Sequence, residues 1–395
     1  MTRVAARARI SALALIAPLA LFLAIFFAWP LVTMLATAVT DGVVRTAFPQ
    51  AAEAAADWNR EMPVPAVLEQ ALVADLRGVE DQAAFGDAVR RLNSAVPGYR
   101  SLLSRTFSAA RNAPADAPVD LAEIDPRWGE ARYWTAFANA VPRFTDRNLL
   151  AAVDLRRDAE GEIVSGAGEA SANRAIMVRT FGIAAGVTAL CAAIGLPYAM
   201  LAATATGWLR MALLLAVLLP LWTSLLVRTA AWFILLQNEG LINWSLMGLR
   251  LTDGPIALIF NRTGVVIAMT HVLLPFMVLP IYSVIVGIPK NLMQAAGSLG
   301  APPLRAFFHV LLPLSLPGLL SGSLLVFMVA LGYYITPALL GGANDQMISS
   351  VIAFYAMGTA NWGMAAALGI FLLTATMALY AVYSRLSDTP QMTGR

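Results

Sequence analysis

The sequence predicts an all-α integral membrane protein of about six transmembrane helices, with a short helix on the cytoplasmic side and a helical extracytoplasmic insert between helices 1 and 2. Three observations predict it. The 395 residues are 59% hydrophobic and only 13% charged, against roughly half and a quarter in soluble domains. Charge is segregated, since residues 41 to 175 hold 15 of the 27 Lys and Arg and 20 of the 24 Asp and Glu. Outside that block lie charge-free runs long enough to cross a bilayer, which takes about 20 apolar residues because nothing in hydrocarbon can pair an open backbone.

Those runs cover residues 10–40, 180–209, 263–289, 306–344 and 346–384, and 211–236 is broken only by Arg228. They place spans near 12–36, 177–202, 210–236, 264–287, 315–338 and 364–385. The first could be a cleavable secretion signal, with Arg3, Arg7 and Arg9 before it and Ala36-Thr37-Ala38 as a cleavage-like site. Its apolar stretch is about twice the 7 to 15 residues of a signal, so it is read as a retained anchor. Positive residues then orient the chain. With the N-terminus inside, Arg3, Arg7, Arg9, Arg210, Lys290, Arg305, Arg385 and Arg395 are cytoplasmic and only Arg250 and Arg262 lie in short outer loops. Both termini are inside and the insert is outside.

The chain divides into a tail and first helix at 1–40, the insert at 41–175, a five-helix core at 176–387 and a cytoplasmic tail at 388–395. In the insert, Leu68, Leu72, Leu76 and Val79 share one helical face, as do Phe85, Val89, Leu92 and Val96 up to Pro97-Gly98. Tyr99, Leu102, Leu103 and Phe107 form a third stripe, and Trp134, Phe137, Ala138 and Val141 a fourth. Residues 112–118 and 159–172 read as linkers. The insert is either a solvated spacer with a modest core or a docking surface for a soluble partner.

Composition excludes several functions. The net charge of +3 combines an acidic insert with a basic remainder, and leaves no nucleic-acid footprint. Cys191 is the only cysteine, so no disulfide framework is possible within the chain. His271 and His309 are far apart with no cysteine near them, so no metal site is expected. Lys290, the only lysine, lies between Pro289 and Asn291, so the chain has no phosphate-binding P-loop.

The connection from Lys290 to Pro313 is longer than a turn requires. Asn291 can cap a two-turn helix over Leu292 to Leu299, and Gly300 with Pro302-Pro303 stops it. Ala295 and Ala296 have almost no side chain, so another protein could approach closely, and the helix reads as a docking knob. The stretch resembles the EAA loop of permease subunits of type I ATP-binding-cassette importers, the binding-protein-dependent inner-membrane family. That pattern runs Glu-Ala-Ala, three residues, Gly, nine residues, then Ile, any residue, Leu-Pro. Gln294-Ala295-Ala296, Gly300 and Val310-Leu311-Leu312-Pro313 match its spacing throughout, with Gln294 replacing Glu and Val310 replacing Ile.

The resemblance spans roughly residues 175–387 and is closest to the spermidine/putrescine branch. It rests there on Leu226-Val227-Arg228-Thr229-Ala230-Ala231-Trp232, Glu239-Gly240-Leu241-Ile242-Asn243 and the run Gly332 to Gly342. It implies a non-catalytic half of an importer in the bacterial inner membrane. Its partners would be a cytoplasmic ATPase dimer, a second permease subunit in a heterodimer, a periplasmic solute-binding protein and the lipid around it. The chain would bind no cofactor, and ATP with Mg would be used by the separate ATPase. Gln294, Ala295, Ala296, Gly300, Ala301, Pro302, Arg305 and Pro313 would form the coupling helix and its stop.

For the pathway the candidates are Arg228, Trp232, Tyr333, Tyr334, Thr336 and Pro337. An intramembrane arginine usually faces a partner or a watery cavity, or else snorkels to headgroups. Pro337 is expected to deprive the Tyr333 carbonyl of its helical donor beside aromatic faces that can hold an ammonium. The other reading of this stretch is a span end with interfacial aromatics. Pro275 and Pro280 are expected to bend the fourth span. An ion-coupled secondary transporter would need midplane acids, yet Glu239, Asp253, Asp345 and Asp388 all fall in loops or the tail. A membrane enzyme would show a nucleophile or metal motif such as His-Glu-x-x-His or Gly-x-Ser-x-Gly, and neither occurs.

Overall fold

The computed structural model describes residues 14–114, 119–157, 162–166 and 173–387. Arg3, Arg7, Arg9, Asp388, Arg395 and the 388–395 tail lie outside the described residues. The chain forms two compact units, one within Met1–Ser171 and Trp362–Ala367, the other within Ala172–Asn361 and Leu368–Arg395.

Among the described residues, five helices are long and apolar enough to cross a membrane: Ala14–Ala36, Asn173–Thr204, Arg262–Gly287, Pro303–Gly332 and Trp362–Arg385. A sixth exists if Gly207–Trp222 and Leu225–Leu235 are one span, and these two are bent by 103°. The span expected near 210–236 is thus not one continuous helix. Pro220 lies in a 3-10 turn, Thr223 is extended, and Ser224 restarts the helix by accepting from the Val227 N–H at 3.2 Å. The fifth span is also corrected from 315–338. It begins at Pro303 and ends at Gly332, and residues Ile335–Leu340 form a separate short helix.

Prolines shape these helices in two ways. Wide π turns at Ala24–Ala28 and Phe307–Leu311 each end two residues before a proline, Pro30 and Pro313. Proline lacks a donor and its ring crowds the carbonyl four residues back, and a wider turn relieves that crowding. The Arg262–Gly287 helix, by contrast, continues through Pro275 and Pro280.

In the second unit the Arg262–Gly287 helix is central and the most buried of the candidate spans. Val265, Met269, Leu273, Met277 and Ile281 on it share a core with Ile183, Val187 and Cys191 and with Val326, Ala330 and Leu331. Lipid is as apolar as these side chains, so close approach rather than water exclusion must hold the helices together. Gly318 and Gly322, one turn apart, provide it. A Cβ at Gly318 would lie 2.9 Å from the Pro280 carbonyl, and one at Gly322 3.0 Å from Met277 Sδ.

The insert has an aromatic core of its own. The largest fully buried side chains in the described chain belong to it: Trp128, Trp134, Tyr99, Tyr133, Phe48 and Phe137. Their polar tips are paired. Trp128 Nε1 donates to Thr106 Oγ1 at 2.9 Å, Trp134 Nε1 to the Trp128 carbonyl at 2.8 Å, and the Tyr99 hydroxyl to the Tyr133 carbonyl at 3.0 Å. The striped segments are helices Ala66–Arg77, Gln82–Ala95, Tyr99–Asn112 and Ala131–Ala140. One expectation fails in part: the stretch read as linker holds one strand of a two-stranded antiparallel ladder, Leu155–Arg157 against Ile163–Ser165.

Candidate functional site: a bare helix and a polar helix break

The connection between the fourth and fifth spans folds as a helix over Asn291–Ser298. Lys290 occupies the cap position without a side-chain bond, so Asn291 is the first helical residue rather than the cap. The other end is built as expected. Gly300 sits at φ +82, the left-handed region where only glycine is free of a Cβ penalty. The Gly300 N–H donates to the Gly297 carbonyl at 2.9 Å and the Ala301 N–H to the Ala296 carbonyl at 3.0 Å. These paired bonds close the helix in the Schellman manner.

No residue of this helix is buried. Gln294 and Ala295 are exposed, Ala296 and Ala301 are half-exposed, and Pro302, Arg305 and Pro313 are exposed or partly so. Leu299 is 89% exposed and Leu304 73%. Stacked behind them, Phe307 and Phe308 meet edge to face at 4.9 Å, and His309 Nδ1 donates to the Arg305 carbonyl at 3.0 Å. The result is a short helix followed by an apolar turn, both exposed.

The second constellation is the break after Gly332. Tyr333 is extended, and Pro337 falls in the first turn of the Ile335–Leu340 helix, where its missing donor costs nothing. The Tyr333 carbonyl is therefore not orphaned, which corrects the expectation. Ser349 Oγ donates to it at 2.5 Å, and Ser350 Oγ donates to the Tyr334 carbonyl at 3.2 Å. The Thr336 hydroxyl lies 3.2 Å from that of Thr229 on the Leu225–Leu235 helix. On the same helix Trp232 Nε1 donates to His271 Nδ1 at 3.1 Å. Arg228 lies within electrostatic reach of His271 and Tyr333, and its Nε and Nη1 are buried without a hydrogen-bond partner.

The structure thus gathers Arg228, Trp232, Tyr333, Thr336 and Pro337 around three helices, while Tyr334 is 40% exposed. Sequence reasoning weighed His271 only as a metal ligand and missed it here, although a histidine inside a charge-free run was signal enough. Thr229, Ser349 and Ser350 carried no such signal, since isolated hydroxyls are common in spans.

A profile of the family described as "Binding-protein-dependent transport system inner membrane component" matches residues 195–389. The spermidine/putrescine transport system permease protein PotB of Escherichia coli (strain K12) is 34% identical over 212 residues, covering 54% of this chain and 77% of that one. The chain belongs to this family of permeases. The inner membrane ABC transporter permease protein YdcU of Escherichia coli (strain K12) is 33% identical over 208 residues, 50% of this permease and 66% of its own length. A chain of the bacterial alginate ABC transporter, solved in complex with an alginate pentasaccharide-bound periplasmic protein, overlays with a TM-score of 0.45 at 17% identity, over 57% of this permease and 82% of that chain. The permease is accordingly a multi-pass inner-membrane subunit of an ABC importer, and the insert at 41–175 lies outside the residues the family profile matches.

Proposed function

We propose that the permease forms half of the translocation pathway for a small amine of the spermidine/putrescine class, received from a solute-binding protein outside and driven by a separate ATPase pair inside. It pairs with a second, related permease, and both of its termini are cytoplasmic. The chain itself catalyses nothing, and ATP and Mg are handled by the ATPase. The cargo class is supported by the names of its relatives, among them PotB of Haemophilus influenzae, 35% identical over 198 residues and 69% of that chain's length.

The observation that carries the coupling role is the Asn291–Ser298 helix, which buries none of its residues and leaves Leu299 89% exposed. Leu299 and Leu304, both bare beside this helix, give a protein partner apolar surface to cover. Seated in a cleft of the ATPase, the helix works as a lever. Closure of the ATPase pair displaces it as a body, and Pro303–Gly332, which follows after a short link, moves with it. Gln294 can pair there with a backbone group or an arginine through its amide, in place of the salt bridge a glutamate would make.

The test is substitution of Leu299 by Asp with Ala295 by Trp in the assembled importer. Expected is loss of copurifying ATPase and of uptake, with the permease still folded by thermal melting. Undiminished ATPase capture would overturn the role. Cargo is tested separately: the cognate binding protein should bind spermidine or putrescine, and indifference to both ends the polyamine assignment. A cargo carrying a carboxylate is the second reading, and the unneutralised Arg228 is the observation that favours it.

A further inference from the structure

Broken helices in transporters hold cations through the carbonyls that the break frees and attract anions at half-helix N-termini. At the break after Gly332 both freed carbonyls already accept hydroxyl protons, from Ser349 and Ser350. Thr229 and Thr336 pair with each other. The ring of His271 accepts at Nδ1 from Trp232, so the neutral ring carries its proton on Nε2. What remains is the guanidinium of Arg228, a permanent charge with five donors and no acceptor. The side chain is half-buried, and two of its three nitrogens, Nε and Nη1, are covered and unpaired.

No carboxylate among the described residues offsets this charge. Asp345 pairs with Arg262 at 3.3 Å, and Glu239 and Asp253 lie in the loops after the Leu225–Leu235 and Leu241–Gly248 helices. The break is therefore electropositive and repels cations where a cation channel would need acceptors. A pathway wide enough for a polyamine would otherwise leak protons and alkali ions down the inside-negative membrane potential whenever the ATPase is idle.

We propose that Arg228 is a fixed electropositive barrier that keeps the resting pathway closed to small cations, in the way a pore arginine excludes protons and cations. This role rests on reading the permease as half of a translocation pathway, but not on which amine it carries. A cargo cation would pass only when movement of the helices carries the guanidinium aside.

The experiment uses the complete importer in proteoliposomes holding a pH-sensitive dye. A potassium diffusion potential, negative inside, is applied without cargo, binding protein or nucleotide, and inward proton leak is read. Arg228→Gln should raise the leak tenfold or more, while Arg228→Lys stays within twofold of the native rate. His271→Glu, which sets a carboxylate beside the guanidinium, should also leak, and it reads the same charge if Arg228→Gln fails to assemble. The proposal is overturned if the Gln and Glu variants are as tight as native. It is also overturned if Gln and Lys leak alike, which marks a packing role, or if both stay tight and lose only uptake of carboxylate-bearing amines. Because the leak needs no cargo, a wrong polyamine assignment leaves its outcome untouched.

Discussion

Asp125 is 3% exposed, accepts from Arg127 Nε at 2.9 Å and Nη2 at 2.7 Å, and lies 3.3 Å from Arg105 Nη1. The hydrogen bonds from Arg127 hold its carboxyl down at about 2. A carboxyl lower in the folded than in the unfolded state stabilises above its unfolded value and loses that contribution as pH falls from about 4 to 2. Arg127 also donates to the Gly98 carbonyl at 2.9 Å, so the pair ties the Pro126–Gly129 turn to the start of the Tyr99–Asn112 helix. Asp125→Asn should cost on the order of 2 kcal/mol at pH 7. Hydrogen exchange of peptides around residues 120–135 checks it, and the variant should lose the extra acid sensitivity between pH 4 and 2. None of this is legible in the sequence, because Asp125-Pro-Arg127 looks like any turn until burial makes the ion pair matter.

At the scale of elements, two glycine devices decide structure. Gly300 stops the Asn291–Ser298 helix at φ +82, and nothing lies within 4 Å of the place a Cβ would take, so a side chain there meets conformational strain alone. Gly300→Val should strain the stop by at least about 1 to 2 kcal/mol and uncouple ATP hydrolysis from uptake, whereas Gly300→Asn, more tolerant of that region, should keep most uptake. Parallel hydrolysis and uptake assays separate the two. The Gly318 and Gly322 contact is a different case, since added atoms would meet the Pro280 backbone and Met277. Gly318→Val should destabilise by about 1 to 3 kcal/mol in detergent melts, while Gly287→Ala, with open space around it, should be near neutral. The Gly300 stop was legible from spacing. The Gly318 spacing was equally present in the sequence, but only the facing helix gives it meaning.

For the whole molecule hydropathy gives five spans among the described residues, six with the bent pair, and the direction of insertion is what remains to be measured. Ala110 is buried, so a reporter belongs at Asn112, the less covered last residue of its helix. Cys191, buried and the only cysteine, can be replaced by Ser to give a clean background. A cysteine at 112 should then react with a membrane-impermeant maleimide added to spheroplasts, and protection until lysis would place the insert inside. The insert's aromatic core makes it a folded body, and a folded body of this size can carry a docking face as a loose spacer could not.

The sequence alone determined which stretches are apolar enough to cross a bilayer, though not where two of those helices break, and where the Asn291–Ser298 helix stops. Both are local matters: the bilayer demands an uninterrupted apolar run, and a helix end demands a residue that can turn left-handed. Tertiary structure alone decided that His271 accepts from Trp232 in this site and that serines 349 and 350 satisfy the broken backbone. Those partners are tens of residues apart, and in lipid, where every apolar face is equally content, helix pairing is chosen by close fit that hydropathy does not record.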